Sequence, residues 1–224
     1  LFVTYVYYDC VDILKLLFDV ILDLNMDLYE PLEIAIKMGN LNTIKFFISK
    51  GLSIYNTYYL EIIAEKGHLN LLEFFINKEV NIKFGKSKML NIAIENGNYE
   101  IVKLLLNKKK KKNSKCLEIA CNYCYFNIVK LLLENDIAIT EKCLKISNDN
   151  KKHDILRLVL NSYKNINISI NYASENGYYD IVDLLIKKGA NVTYICFKLA
   201  FEKGHLEIIK LLFENGLKLD FYDD

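Results

Sequence analysis

The chain has 224 residues, 52% of them apolar, with one Pro, no Trp and a formal net charge of +1. That balance gives no global electrostatic drive toward nucleic acid or an anionic membrane. Charges interrupt every apolar run before it reaches the length of a transmembrane helix, so no membrane association is expected. Lys outnumbers Arg 28 to 1, and with abundant Asn, Ile and Tyr this is the composition expected from an AT-rich genome.

In chain order, residues 1–30 open with Leu1-Phe2-Val3-Thr4-Tyr5-Val6-Tyr7-Tyr8, an unusually apolar stretch that reads as a short first helix of a partial repeat. Residues 31–58, 59–88, 89–115, 116–142, 143–168 and 169–195 are full repeats, and 196–224 is the last. Each has a turn position at its centre: Asp9, Gly39, Gly67, Gly97, Cys124, Lys151, Gly177 and Gly204. Consecutive centres are 26 to 30 residues apart, a period that marks a solenoid or array. A single all-helical solenoid over 1–224 is therefore expected, each repeat touching mainly its neighbours. The start at Leu1, partway into a repeat, and the stop just after the eighth repeat lead to the expectation of a fragment of a longer chain.

The register is visible slot by slot. Eight residues after the centres stand Leu17, Phe47, Phe75, Leu105, Leu132, Val159, Leu185 and Leu212. Five after stand Leu14, Ile44, Leu72, Val102, Val129, Leu156, Val182 and Ile209. Both slots are apolar in every copy, while the slot six after is always charged, from Lys15 to Lys210. Apolar residues three apart with charges between them make an amphipathic helix. A second, shorter helix precedes each centre. It carries an apolar residue seven before the centre, Leu32 and Leu60 among them, and a small one four before, as at Ala35, Ala93 and Ala120. Gly at most centres marks a left-handed turn between the two helices.

The last repeat, Ala200-Phe201-Glu202-Lys203-Gly204-His205-Leu206-Glu207-Ile208-Ile209-Lys210-Leu211-Leu212, resembles an ankyrin repeat. Gly189-Ala190-Asn191-Val192 resembles that family's Gly-Ala-Asp-Val tail, and Pro31-Leu32-Glu33-Ile34-Ala35 its Thr-Pro-Leu-His-x-Ala opening. The resemblance covers essentially the whole chain. It implies an all-α helix-turn-helix solenoid, but with shortened loops and little or no β-hairpin, because Gly189 to Gly204 is shorter than the family pattern. The Thr and His of the opening are absent, so the first-helix cap must be made differently. Short, Asn- and Lys-rich repeats of this kind are similar to those of ankyrin proteins of giant DNA viruses, which implies host cytoplasm as the setting.

The 143–168 repeat departs most. Lys151 holds the Gly slot, Ser147 the small slot, and Asn148, Asp149 and Asn150 crowd the end of its first helix, so it reads as the weakest repeat. Cys121 and Cys124 form Cys-x-x-Cys, but a structural zinc site needs four ligands and there is no second pair. Cys116, Cys143 and Cys196 share one slot and read as small buried residues. No metal or cofactor is expected, and reduced cysteines with no signal-peptide pattern imply an intracellular chain. Gly85-Lys86-Ser87 lacks the earlier Gly and the preceding strand of a phosphate loop. His68 and His205 read as turn residues, and His153 falls on the inner stripe of a second helix. Three scattered His support no nucleophilic triad, so neither enzymatic activity nor a small-molecule substrate is expected.

By resemblance, the function is a non-enzymatic scaffold that binds a protein partner on the concave face lined by first helices. The slot six before each centre supplies candidate contacts: Glu33, Glu61, Asn91, Glu118, Lys145, Asn171 and Lys198. This row is acidic in the N-terminal half and basic or neutral in the C-terminal half, so a partner of opposite polarity is expected. The alternative is a basic loop, Lys108, Lys109, Lys110, Lys111 and Lys112, that takes an anionic partner. No aromatic residues interleave it, so base stacking with nucleic acid is not expected. A second alternative is a targeting adaptor for a domain beyond this fragment. A monomer is expected.

Overall fold

The computed structural model describes residues 1–23, 27–54, 56–78, 86–106, 113–149, 153–162 and 166–218. Some side chains within these spans, His153 among them, are not described. Among the described residues there are sixteen helices and no strand. The expected shortened loops are found: four residues, 190–193, separate the turn that ends one repeat from the first helix of the next.

The chain falls into two compact units, Leu1–Thr140 and Glu141–Asp224. The first holds five helix pairs: α1 Phe2–Tyr7 with α2 Val11–Asp23, α3 Tyr29–Met38 with α4 Leu41–Ser49, α5 Thr57–Lys66 with α6 Leu69–Asn77, α7 Lys86–Glu95 with α8 Tyr99–Leu106, and α9 Lys115–Asn122 with α10 Phe126–Glu134. The second holds three: α11 Glu141–Asp149 with α12 His153–Ser162, α13 Ile166–Glu175 with α14 Tyr179–Lys187, and α15 Tyr194–Glu202 with α16 Leu206–Glu214. In the first unit α3 packs on both α1 and α5, and α7 on both α5 and α9, so first helices stack on first helices. Second helices do the same, as α2 on α4 and α8 on α6 and α10. In the second unit α13 packs on α15 and α14 on α16.

The repeating slots form the core. The residues five and eight after the centres are buried throughout, except Leu17 and Ile209, which are half-buried. The small slot four before the centre is buried at Ala35, Ala93, Ala120, Ser147, Ala173 and Ala200, where neighbouring first helices approach. Ser147 satisfies its buried hydroxyl by donating to the Cys143 carbonyl at 2.7 Å. Cys116, Cys143 and Cys196 are buried, as their shared slot predicts.

At every described centre the first helix closes by a left-handed turn. Gly39 has φ 74, and the Asn40 N–H donates to the Ala35 carbonyl at 2.9 Å, closing the turn on the small slot. The same bond recurs from His68 to Ile63, Asn98 to Ala93, Tyr125 to Ala120, Tyr178 to Ala173 and His205 to Ala200. Asp9 (φ 53) and Cys124 (φ 60) make the turn without being Gly; Lys151 lies outside the described residues. In place of the missing Thr of the family opening, three first helices begin at an Asx turn. Asp27, Asn56 and Asn113 each accept, through Oδ1, the N–H of the residue two further on, Tyr29, Tyr58 and Lys115 respectively.

Candidate functional site

The row six before the centres lies half-buried on the first helices of the first unit and is tied along the stack. Glu33 of α3 pairs with Lys37 one turn on, 2.6 Å, and accepts from the Tyr58 hydroxyl of α5 at 3.3 Å. Glu61 of α5 pairs with Lys88 of α7 at 2.7 Å. Glu118 of α9 accepts from the Thr140 hydroxyl at 2.9 Å. Asn91 of α7 is half-buried in the same slot. Each acid is thus held by a different neighbour, Glu33 and Glu61 by a group on the next first helix, and its carboxylate is fixed in direction. The pairing shows in protonation: the hydrogen bond that Lys37 donates to Glu33 holds its ammonium above its ordinary value. Tyr59, beside this row, has its phenol pushed up, first by burial and then by the negative charge of Glu33. Tyr29 and Tyr58 are exposed at the same helix starts.

In the second unit the slot behaves differently. The Asn171 amide oxygen accepts from the Cys196 thiol at 3.0 Å, so it faces the neighbouring helix. Lys145 and Lys198 are exposed, and Lys198 stands 3.9 Å from Glu202 on its own helix. The basic run Lys108–Lys112 lies outside the described residues; the next lysine in sequence, Lys115, is exposed at the start of α9.

A second set of residues, of which the sequence reading singled out only His68 and His205, as turn residues, makes polar contacts between repeats. At five of the described centres the side chain one after the centre reaches back to the carbonyls that end the preceding first helix. The Asn40 amide donates to the Val6 and Tyr7 carbonyls at 2.7 and 3.0 Å. Asn98 does the same to Ala64 and Glu65 at 2.7 and 3.0 Å. Nε2 of His68 lies 2.8 Å from the Lys37 carbonyl, and that of His205 3.0 Å from the Glu175 carbonyl. The Tyr125 hydroxyl donates to the Glu95 carbonyl at 3.4 Å. These bonds satisfy orphan carbonyls at helix C-termini. The signal was present in sequence: the slot holds Asn, His or Tyr in most repeats, side chains that share a donor and little else.

Among the described residues, no group of three or more His, Cys, Asp or Glu comes together as a metal-binding set. None of the helices described is long and apolar enough to cross a membrane. The six cysteines form no disulfide.

The family "Ankyrin repeats (3 copies)" matches residues 60–143, and "Ankyrin repeat" matches 170–197, together half of the chain. The chain belongs to the ankyrin-repeat family. Ankyrin repeats generally mediate protein–protein interaction, and domains built from them are typically non-enzymatic scaffolds. Among solved structures, the human ASB11 ankyrin repeat domain is similar at 18% identity with a TM-score of 0.45, covering 85% of each chain. No curated protein matches the chain in sequence.

Proposed function

We propose that the chain is a non-enzymatic scaffold that takes a protein partner on the first-helix face of its ankyrin repeats. In the first unit Glu33, Glu61, Asn91 and Glu118 form the contact row; in the second, Lys145, Asn171 and Lys198 occupy the corresponding slots. The observation that carries this reading is the fixed direction of the first-unit carboxylates. A glutamate already held by Lys88 or Tyr58 loses little rotamer freedom when a partner binds, which favours a preorganised contact. A segment rich in Lys or Arg is the partner chemistry that fits. Cysteines kept as thiols rather than disulfides support an intracellular setting, and the short Asn- and Lys-rich repeats support a source among giant DNA viruses.

The test replaces Glu33, Glu61 and Glu118 together by Gln, which keeps size and removes charge. Capture of a protein partner from lysate is expected to fall by about tenfold or more. The melting temperature is expected to move little, because the lysines paired with Glu33 and Glu61 stand in solvent, where such pairs contribute only about 0–1 kcal/mol each, and Gln keeps an acceptor for Tyr58 and Thr140. Replacing Lys108 through Lys112 by Ser is expected to leave capture intact. Capture that survives the Gln changes, fails with the Ser changes and fades steeply with salt would instead assign the basic loop and an anionic partner.

A further inference from the structure

The slot eight before each centre is a core slot. Pro31, Met89, Cys116, Cys143 and Cys196 fill it in other repeats, and all are buried. In the 59–88 repeat it holds Tyr59, 5% exposed at the start of α5, against α3. A phenol is longer than any of those side chains, so its oxygen reaches past the core. Among the described residues that hydroxyl has no hydrogen-bond partner, and it is not sealed from solvent. The charges of Glu33 and Asp27 and the phenols of Tyr29 and Tyr58 all act on it, so it opens among them, between the starts of α3 and α5. Phe would fill the same ring space without a polar atom to desolvate, so packing alone does not account for a hydroxyl here.

The acceptors left over at this corner define what can bind. Glu33 takes both the Lys37 ammonium and the Tyr58 hydroxyl on Oε1, which leaves Oε2 without a hydrogen bond among the described residues. Asp27 caps α3 through Oδ1 and keeps Oδ2. The Tyr59 oxygen is a third acceptor. Asp27 and Glu33 against the single Lys37 leave the corner net negative. Tyr29 and Tyr58 flank it, 59% and 46% exposed. Separated acceptors beside open aromatic rings suit a planar cation with several donors. A guanidinium can fork onto two of them while its face lies on a ring, whereas an ammonium is a compact, strongly hydrated point charge.

We propose that this corner is an arginine subsite: one arginine of the partner segment places its guanidinium on Glu33 Oε2 and the Tyr59 hydroxyl, with its plane against the Tyr58 ring. The subsite rests on the first-helix face being the docking surface, and it narrows that reading from any basic segment to one in which arginine holds this position.

NMR titration of the whole chain, with tyrosine rings labelled, tests the subsite. The probes are three blocked peptides, Gly-Ser-Gly-Arg-Gly-Ser-Gly and the same peptide with Lys or with citrulline, the neutral analogue of Arg, in its place. The Arg peptide is expected to give saturable shifts centred on Tyr29, Tyr58 and Tyr59. The Lys peptide is expected to bind about threefold or more weakly, and the citrulline peptide to give no saturable shift. Tyr59→Phe is expected to weaken the Arg peptide about fivefold. Tyr58→Leu, which keeps apolar bulk and removes the ring, is expected to weaken it about twofold to fivefold. Circular dichroism checks that each variant folds, and the three peptides on the wild-type chain carry the test if one does not. An Arg peptide without saturable shifts, equal binding of all three peptides, shifts centred away from these tyrosines, or Tyr59→Phe binding like the wild type would each overturn the subsite. Its failure is distinct from that of the docking surface. Partner capture that falls with the Glu33, Glu61 and Glu118 changes, while the Arg peptide binds no better than citrulline, would keep the first-helix face and remove the subsite.

Discussion

The His68 ring lies where a side chain on Gly39 would have to go: Nδ1 would be 2.6 Å from a Cβ there, while Nε2 stays 2.8 Å from the Lys37 carbonyl. Gly39 is therefore required twice, for its φ of 74 and for the approach of the next repeat. Gly51 has φ 91 and nothing within 4 Å of its Cβ position, so it isolates the first requirement. Gly51→Ala is expected to cost about 1–2 kcal/mol from the left-handed backbone alone. Gly39→Ala is expected to cost at least about 1 kcal/mol more, and adding His68→Ala should recover part of that excess. Urea denaturation of the three variants measures this. Equal costs at Gly39 and Gly51 would show that His68 simply moves aside.

Leu105 and Lys103 lie two residues apart on α8, one 2% exposed and the other exposed. Leu105→Ala is expected to lose about 2–5 kcal/mol, since a buried leucine leaves a cavity. Lys103→Ala is expected to lose less than about 0.5 kcal/mol. Chemical denaturation of the two variants compares them, and similar losses would mean that α8 is rotated about its axis, with Leu105 no longer facing the core.

How much of this was legible follows from what kind of interaction each residue makes. The helix pairs could be read because apolar slots such as those of Ile44 and Phe47 answer to periodicity, which a single repeat already displays. The turn at Gly39 could be read because glycine alone adopts that backbone freely. The locks at Asn40, His68, Asn98, Tyr125 and His205 could not be read from one repeat, because each donor meets a carbonyl 30 or more residues earlier. The same holds for the acid row: the position of Glu61 on its helix was plain, but Lys88 as its partner depends on how adjacent first helices align. The divergent centre at Lys151 and the lysine run 108–112 fall outside the described residues.

Asp9 shows how a repeat manages without glycine. It takes φ 53, and its Oδ1 accepts from both the Thr43 N–H, 3.0 Å, and the Thr43 hydroxyl, 2.7 Å, while Oδ2 accepts from the Asn42 amide at 3.2 Å. Thr43 is fully buried, so this carboxylate satisfies a hydroxyl that no water reaches. Asp9→Ala keeps the strained backbone and removes the acceptor, and is expected to cost about 1–3 kcal/mol. Asp9→Gly removes the acceptor but relieves about 1 kcal/mol of strain, so it should fall between Asp9→Ala and the wild type. Asp9→Asn retains an acceptor and should cost least. Denaturation midpoints that place Asp9→Gly below Asp9→Ala would show that backbone strain at this position is negligible.

Alkaline pH gives a separate reading of the packing beside the acid row. Tyr59 is 5% exposed, and burial, followed by the charge of Glu33, holds its phenol above the ordinary value. In the unfolded chain the phenol titrates near about pH 10. Between that value and the raised folded one, the folded state binds more protons than the unfolded state, so stability falls as pH rises. The Tyr59 contribution is fully present below about pH 10 and is lost as pH climbs through the folded value. Lys37, raised by its bond to Glu33, acts in the same direction, but as an exposed group it is well screened by solvent. Tyr59→Phe has no proton to lose, so its drop in urea midpoint between about pH 8 and about pH 11 should be smaller than that of the wild type. Comparing each protein with itself at the two pH values cancels whatever the lost hydroxyl costs at neutrality. An identical drop in both proteins would show that Tyr59 stays protonated over the whole range, or that its phenolate is accommodated as well in the folded chain as in water.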